Sequence, residues 1–224
     1  MSGELMEVYE ALKNAFGYQD WWPAEGPFEV MVGAILTQNT NWNNVETALD
    51  NLREQGMLEP RSLAAVEAEN LQEAIRPAGY YRQKTGRLIR LARWVLDNWD
   101  GTEESFRNIA QRPVDELRAE LLGINGIGPE TADSILLYAL GKPVFVVDTY
   151  TIRIFSRHEL LEPRMPYREV QETITYQLPD DLDLYRDYHA QLVELGKKHC
   201  SKTSPSCEEC PLRPLLGEPT LQTF

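Results

Sequence analysis

Apolar positions along this chain recur at steps of three and four residues, in one short block after another. Phe28, Val30, Met31, Ala34 and Ile35 form one such stripe, and Ala132, Ile135, Leu136 and Ala139 another, at i, i+3, i+4, i+7. The periodicity predicts helices over roughly 3–16, 28–37, 41–55, 61–76 in two pieces, 80–99, 103–109, 114–122, 129–140, 149–158, 166–178 and 182–199. Pro23, Pro27, Pro60, Pro77, Pro113, Pro143, Pro163 and Pro179 fall mostly between these blocks, where proline is tolerated. Alternation of the strand kind is confined to Val144–Val147, which also reads as a buried connector. The fold class is therefore all-α.

Residues 113–151 hold the densest local signal. A helical pattern from Val114 to Leu122 ends in the turn Gly123-Ile124-Asn125-Gly126-Ile127-Gly128, and Pro129 opens the next helix. A Gly-x-Gly turn before a helix leaves backbone N–H groups pointing outward, an arrangement that suits a phosphate. Downstream, Asp148-Thr149 follows a short apolar run. Asp148 reads either as a carboxylate beside the phosphate's owner or as the N-cap of the following helix.

Two other stretches stand out. Residues 19–44 join Trp21 and Trp22 to a polar helix end, Thr37-Gln38-Asn39-Thr40-Asn41, and then Trp42. Tryptophans beside amide side chains make a stacking slot for a flat ligand, or else pack the seam of an N-terminal helix. Residues 200–210 read Cys-x6-Cys-x2-Cys and contain all three cysteines of the chain, Cys200, Cys207 and Cys210. That spacing suggests thiolate ligation of zinc or an iron–sulfur cluster in a reducing compartment, not a disulfide framework.

Composition adds constraints. Hydrophobic residues make up 42% and charged residues 25% of the 224 positions, as in ordinary soluble domains. No run reads as a secretion signal or a membrane span, so a cytoplasmic protein is expected. The net charge of −13 argues against a generic nucleic-acid binder with a broad basic face. The charge is uneven, however. Arg82, Lys84, Arg87, Arg90 and Arg93 lie within 82–93 with no acid among them, as a binding stripe or a solvated helix face.

Taken together, LLGINGIGPETAD followed by VFVVDTYTIRIFSR, GAILTQNT, AGYYRQKTGRL and the cysteine loop resemble the helix-hairpin-helix DNA glycosylases of the endonuclease III superfamily. The four motifs occur in the family's order, from about residue 20 to 211. The resemblance implies a two-lobed helical fold: a barrel over 23–140 carrying the hairpin, and a second lobe built from 1–22 with 141–224. Damaged duplex DNA would enter a cleft between them, with one nucleotide flipped out. The expected product is an abasic site, made by a monomer acting on the nucleoid. The resemblance gives Gly126 and Gly128 to a DNA phosphate, Gln38 to the gap left by the flipped base, Lys84 with Arg82 to DNA contact, and Asp148 to catalysis.

Two departures qualify it. Where bifunctional members carry a lysine that attacks the sugar, this chain has Glu130, which cannot form an imine, so strand cleavage should be absent or weak. The family's [4Fe–4S] loop has a fourth cysteine where this chain has Leu216, leaving a cluster with another ligand, zinc, or no metal. The WWP segment, the aromatic after TQNT and Glu130 are similar to the 3-methyladenine branch. There Trp42 would stack on the base, with Trp21 and Trp22 as pocket wall. A cationic alkylated purine suits such a slot through cation–π attraction. Rival readings are a glycosylase for oxidised pyrimidines or mismatches and a non-catalytic DNA-binding hairpin module.

Overall fold

The computed structural model describes residues 3–162 and 164–220; Met1, Ser2, Pro163 and residues 221–224 lie outside the described residues. All regular structure among those residues is helical, and Val144–Val147 is an extended connector with Phe145, Val146 and Val147 buried. The elements are α1 (Glu4–Phe16), α2 (Pro27–Leu36), α3 (Trp42–Glu54), α4 (Pro60–Ala65), α5 (Ala68–Ala74), a 3-10 turn (Arg76–Ala78), α6 (Tyr81–Asn98), α7 (Glu103–Gln111), α8 (Val114–Gly123) and α9 (Pro129–Ser134). A π-helical turn (Ile135–Ala139) continues α9, and α10 (Thr149–Arg157), α11 (Tyr167–Thr175), α12 (Leu182–Lys198), a 3-10 turn (Cys207–Glu209) and α13 (Arg213–Leu216) follow. Two compact units result, Trp22–Lys142 and Met1–Trp21 with Pro143–Phe224.

In the first unit α2 is the central element. Every residue from Phe28 to Leu36 is buried, and α3, α6, α9 and the π turn pack around it. Proline at its first position and a sequence apolar but for Glu29, which pairs with Arg53 at 2.9 Å, explain a helix with no solvated face. The π turn departs from the single α-helix expected over 129–140. Leu140 N–H reaches Ile135 O at 3.1 Å, a five-residue step, and Gly141 at φ +62° lets Lys142 N–H close on Leu136 O.

Lys84 is a correction to the sequence reading. It is fully buried, and its ammonium donates to Leu36 O and Ala78 O, both at 2.8 Å, capping the ends of α2 and the 3-10 turn. A side chain so enclosed offers no charge to DNA. The apolar stripe of α6 explains why: Lys84 stands four residues before Leu88, in line with Leu91 and Val95 on the buried face. Burial, with the nearby Arg87 charge second, lowers its pKa to about 8.

The hairpin helices are held by a second interior charge. Asp133 is fully buried, and Arg118 donates to both its oxygens, Nε and Nη2 each at 2.8 Å. This pair joins α8 to α9 across the turn.

In the other unit α1 lies along α12. Tyr9 Oη donates to Asp187 Oδ2 at 2.9 Å and Tyr188 Oη to Leu5 O at 2.6 Å. Helix α10 crosses α12 at Gly196, where a Cβ would fall 2.1 Å from the Tyr150 ring.

Two outcomes follow from the interior charges. Arg118→Ala should destabilise the protein by about 3 kcal/mol in denaturant unfolding, because the buried carboxylate loses its bidentate partner. Lys84 has a folded-state pKa below its unfolded value, so the unfolded chain holds a proton that the folded chain releases between about 8 and 10.5. Wild type should therefore gain stability relative to Lys84→Met as pH rises through that window. Melting curves that stay parallel from pH 7.5 to 10 would contradict this.

Candidate active site

In the unit Trp22–Lys142 the hairpin turn and the end of α2 meet. Gly126 has φ +95°, a left-handed backbone that glycine adopts without strain. A Cβ there would also fall 2.4 Å from Arg87 Nε and 2.6 Å from Cγ and Cδ, so the Arg87 stem lies directly on the turn. Gln38, just past α2, donates through Nε2 to Gly126 O at 3.1 Å and to Thr131 Oγ1 at 2.9 Å. Its Oε1 accepts from Arg87 Nη1. Arg90 Nη2 donates to Asn125 O at 3.0 Å. The structure thus brings Gln38 and Gly126 together; Gly128 is the N-cap of α9, and Glu130 is exposed in its first turn. Arg82 is also exposed, its guanidinium 5.9 Å from the Tyr81 ring centre.

The same unit holds an aromatic group. Trp22 meets Trp42 edge-on, with centroids 5.3 Å apart and an interplanar angle of 82°. Tyr138, from the π turn, lies 5.3 Å from Trp22 on another side. Gly33 makes room: a Cβ there would stand 3.2 Å from the Trp22 ring. Tyr138 was not among the sequence candidates because its helix pattern marked it only as another core position. Trp21 belongs to the other unit, where its ring is 5.5 Å from His189.

Asp148 is buried at the start of α10 and is its N-cap. Oδ1 accepts from Thr151 N–H at 2.7 Å and Thr151 Oγ1 at 2.8 Å, which is the N-cap. Oδ2 faces His189 Nε2 at 3.8 Å. Burial holds the His189 imidazole below its usual pKa against the opposing pull of Asp148. Burial therefore favours the neutral form of the ring beside Asp148. No sequence motif marked His189, which lies inside α12, 41 residues after Asp148 (189 − 148).

Cys200, Cys207 and Cys210 line one small cavity with His158, His199 and Arg213, with room for about one water at about 10 Å³. The Nδ1 atoms of His158 and His199 are buried without a hydrogen-bond partner. Arg157 Nη1 donates to Cys200 Sγ at 3.0 Å. Burial, followed by interactions that include the other two cysteines, pushes the Cys210 thiol up. The loop supplies three cysteines with Leu216 at the position of the family's fourth, and among the described residues no three candidate ligands are gathered as a metal site. The donor set present, three sulfurs and two imidazoles, matches a four-coordinate single ion in type.

Known proteins resemble this chain in sequence and fold. A protein of Methanocaldococcus jannaschii named as a candidate DNA repair glycosylase is 46% identical over 209 residues, 93% of this chain and 94% of its own. The Helicobacter pylori 3-methyladenine DNA glycosylase bound to 1,N6-ethenoadenine superposes with TM-score 0.74 at 31% identity, covering 87% of this chain and 97% of that one. An endonuclease III–DNA complex superposes with TM-score 0.79 at 25% identity over 96% of both chains. Residues 32–179, which include the end of α2, the whole hairpin and Asp148, match the HhH-GPD superfamily of base excision DNA repair proteins, and to that family this chain belongs.

Proposed function

We propose that this protein is a monofunctional DNA glycosylase that releases an alkylated purine, such as 3-methyladenine, from duplex DNA and leaves an abasic site. The observation that carries the reading is the divided carboxylate of Asp148. One oxygen is fixed by the helix it caps, and the other is left for chemistry. Breaking a glycosidic bond builds positive charge on the sugar, and a carboxylate held near C1′ stabilises it and orients the incoming water. A neutral His189 beside it brings no competing cation. The alkylated base is already a good leaving group, so the pocket need only hold it. The Trp22, Trp42 and Tyr138 rings offer the faces that a cationic purine favours. Hairpin amides at Gly126 and Gly128 would hold a phosphate, and exposed Arg82 is suited to another.

The absence of strand cleavage rests on where the amines are. Glu130 takes the position of the attacking lysine, and Lys84 and Lys142 are the only lysines in residues 22–142. Lys84 Nζ is buried on two carbonyls, and Lys142 Nζ donates to Arg112 O at 2.7 Å. Neither presents a nucleophile.

On a duplex with one 3-methyladenine analogue, breaks should appear only after alkali, and borohydride should trap no protein–DNA adduct. Cleavage without alkali, or a trapped adduct, would sink the monofunctional reading. Release confined to oxidised pyrimidines or mismatches would overturn the substrate class. Asp148→Asn should slow base release about a hundredfold or more while the fold survives, because asparagine is an equally good N-cap. A variant releasing base at the wild-type rate removes Asp148 from the mechanism.

The cysteine loop is read as a structural site for one ion, with Cys200, Cys207, Cys210 and one imidazole from His158 or His199 as ligands, which would have to draw together on binding because they are not gathered as a metal site in the structure. When bound, zinc would cross-link the loop and supply no chemistry to the reaction. Elemental analysis of purified protein should find about one zinc per chain and no visible iron–sulfur absorbance. His158→Ala with His199→Ala should lower that content. Four irons per chain, or no metal, would overturn the assignment.

A further inference from the structure

We infer that Arg87 is a positioning residue that latches Gln38 onto the hairpin turn until duplex DNA draws the guanidinium away. The inference rests on the proposed role of Gln38 as the side chain that fills the gap behind a flipped base. Both donors of the Gln38 amide are engaged, on Gly126 O and Thr131 Oγ1, and its oxygen accepts from Arg87 Nη1. An amide so held has one orientation. To enter a base stack it must give up all three bonds, and the bond to the guanidinium is the charge-assisted one.

The position of Arg87 makes it responsive to DNA. Its stem covers Gly126, so its charge lies beside the turn whose amides suit a phosphate, and Arg90 approaches the same turn through Asn125 O. Arg87 itself is only half-buried, unlike Lys84 one turn earlier. A backbone phosphate arriving at the turn competes with the Gln38 oxygen for the same N–H donors, and a charged acceptor outcompetes a neutral amide. Exchange of that partner weakens the hold on Gln38 where DNA has docked and nowhere else. Gly126 thus has two duties: its backbone requires φ +95°, and its missing Cβ admits the Arg87 stem.

The test is a double-mutant cycle of Gln38→Ala and Arg87→Met, methionine keeping an apolar stem over the turn. The readout is stopped-flow fluorescence of 2-aminopurine placed next to a stable abasic analogue in duplex DNA, which reports unstacking. In the Gln38 background, Arg87→Met should speed unstacking about tenfold, the effect of losing one charge-assisted hydrogen bond. It should also weaken binding to undamaged duplex. In the Gln38→Ala background the same change should leave the unstacking rate as it was. An equal factor in both backgrounds would mean that Arg87 acts on DNA directly, and the latch falls. Melting temperatures of the four proteins without DNA form a second cycle: non-additivity supports the bond, and additivity overturns it. If Gln38→Ala leaves unstacking and excision unchanged, the gap-filling reading fails, a result distinct from failure of the latch.

Discussion

The hairpin turn at Gly126 is the constraint on which the nucleic-acid side of the structure depends. Its left-handed backbone reverses the chain between α8 and α9, and the absent Cβ lets Arg87 close over it. Any other residue would meet both strain and collision. From this single position follow the orientation of Gln38, the approach of α6 through Arg87 and Arg90, and the direction of the first amides of α9. The buried Arg118–Asp133 pair then holds the two hairpin helices from behind. A turn fixed from both sides can present backbone dipoles without reorganising, which is the condition for binding an anion with few charged side chains.

Under the proposed function, Asp148 would carry a structural role and a chemical role on one side chain. Helix capping uses one carboxylate oxygen and fixes the direction of the other. The fixed direction is what catalysis requires, since a mobile carboxylate would have to be ordered at each turnover. Its neighbour His189 is kept neutral by the burial that surrounds them both, so the pair is not an ion pair that would neutralise the acid. The cap is thus a means of aiming the carboxylate.

The sequence made much of this legible because the relevant signals are local. Gly126 and Gly128 mark a turn, Pro129 a helix start, and Asp148-Thr149 a cap, all within a few residues. Lys84 was given to DNA contact by the family resemblance, although its place four residues before Leu88 puts it on the buried stripe of α6. The π turn could not be anticipated, since a five-residue hydrogen-bond step leaves the apolar pattern of Ile135–Ala139 almost unchanged. Tyr138 and His189, and the pairing of Arg87 with Gln38, went unread for a different reason. Their roles come from partners 116, 41 and 49 residues away in sequence (Trp22, Asp148 and Gln38), and such pairings are set by packing.

The charge of the chain bears on how the proposed activity would divide its work. An acidic protein gains little from counterion release, so its hold on undamaged duplex is weak and depends on a handful of arginines. Of the basic run in α6, Lys84 is buried and Arg87 is tied to Gln38, leaving Arg82, Arg90 and Arg93 exposed. Under the proposed function, discrimination would then come from the aromatic rings, which favour a base that is already cationic over a neutral one. Weak general binding helps here, because an enzyme that leaves intact DNA quickly can sample more sites in a given time. The acidic composition is therefore compatible with DNA as substrate, provided that binding rests on the turn and recognition on the rings.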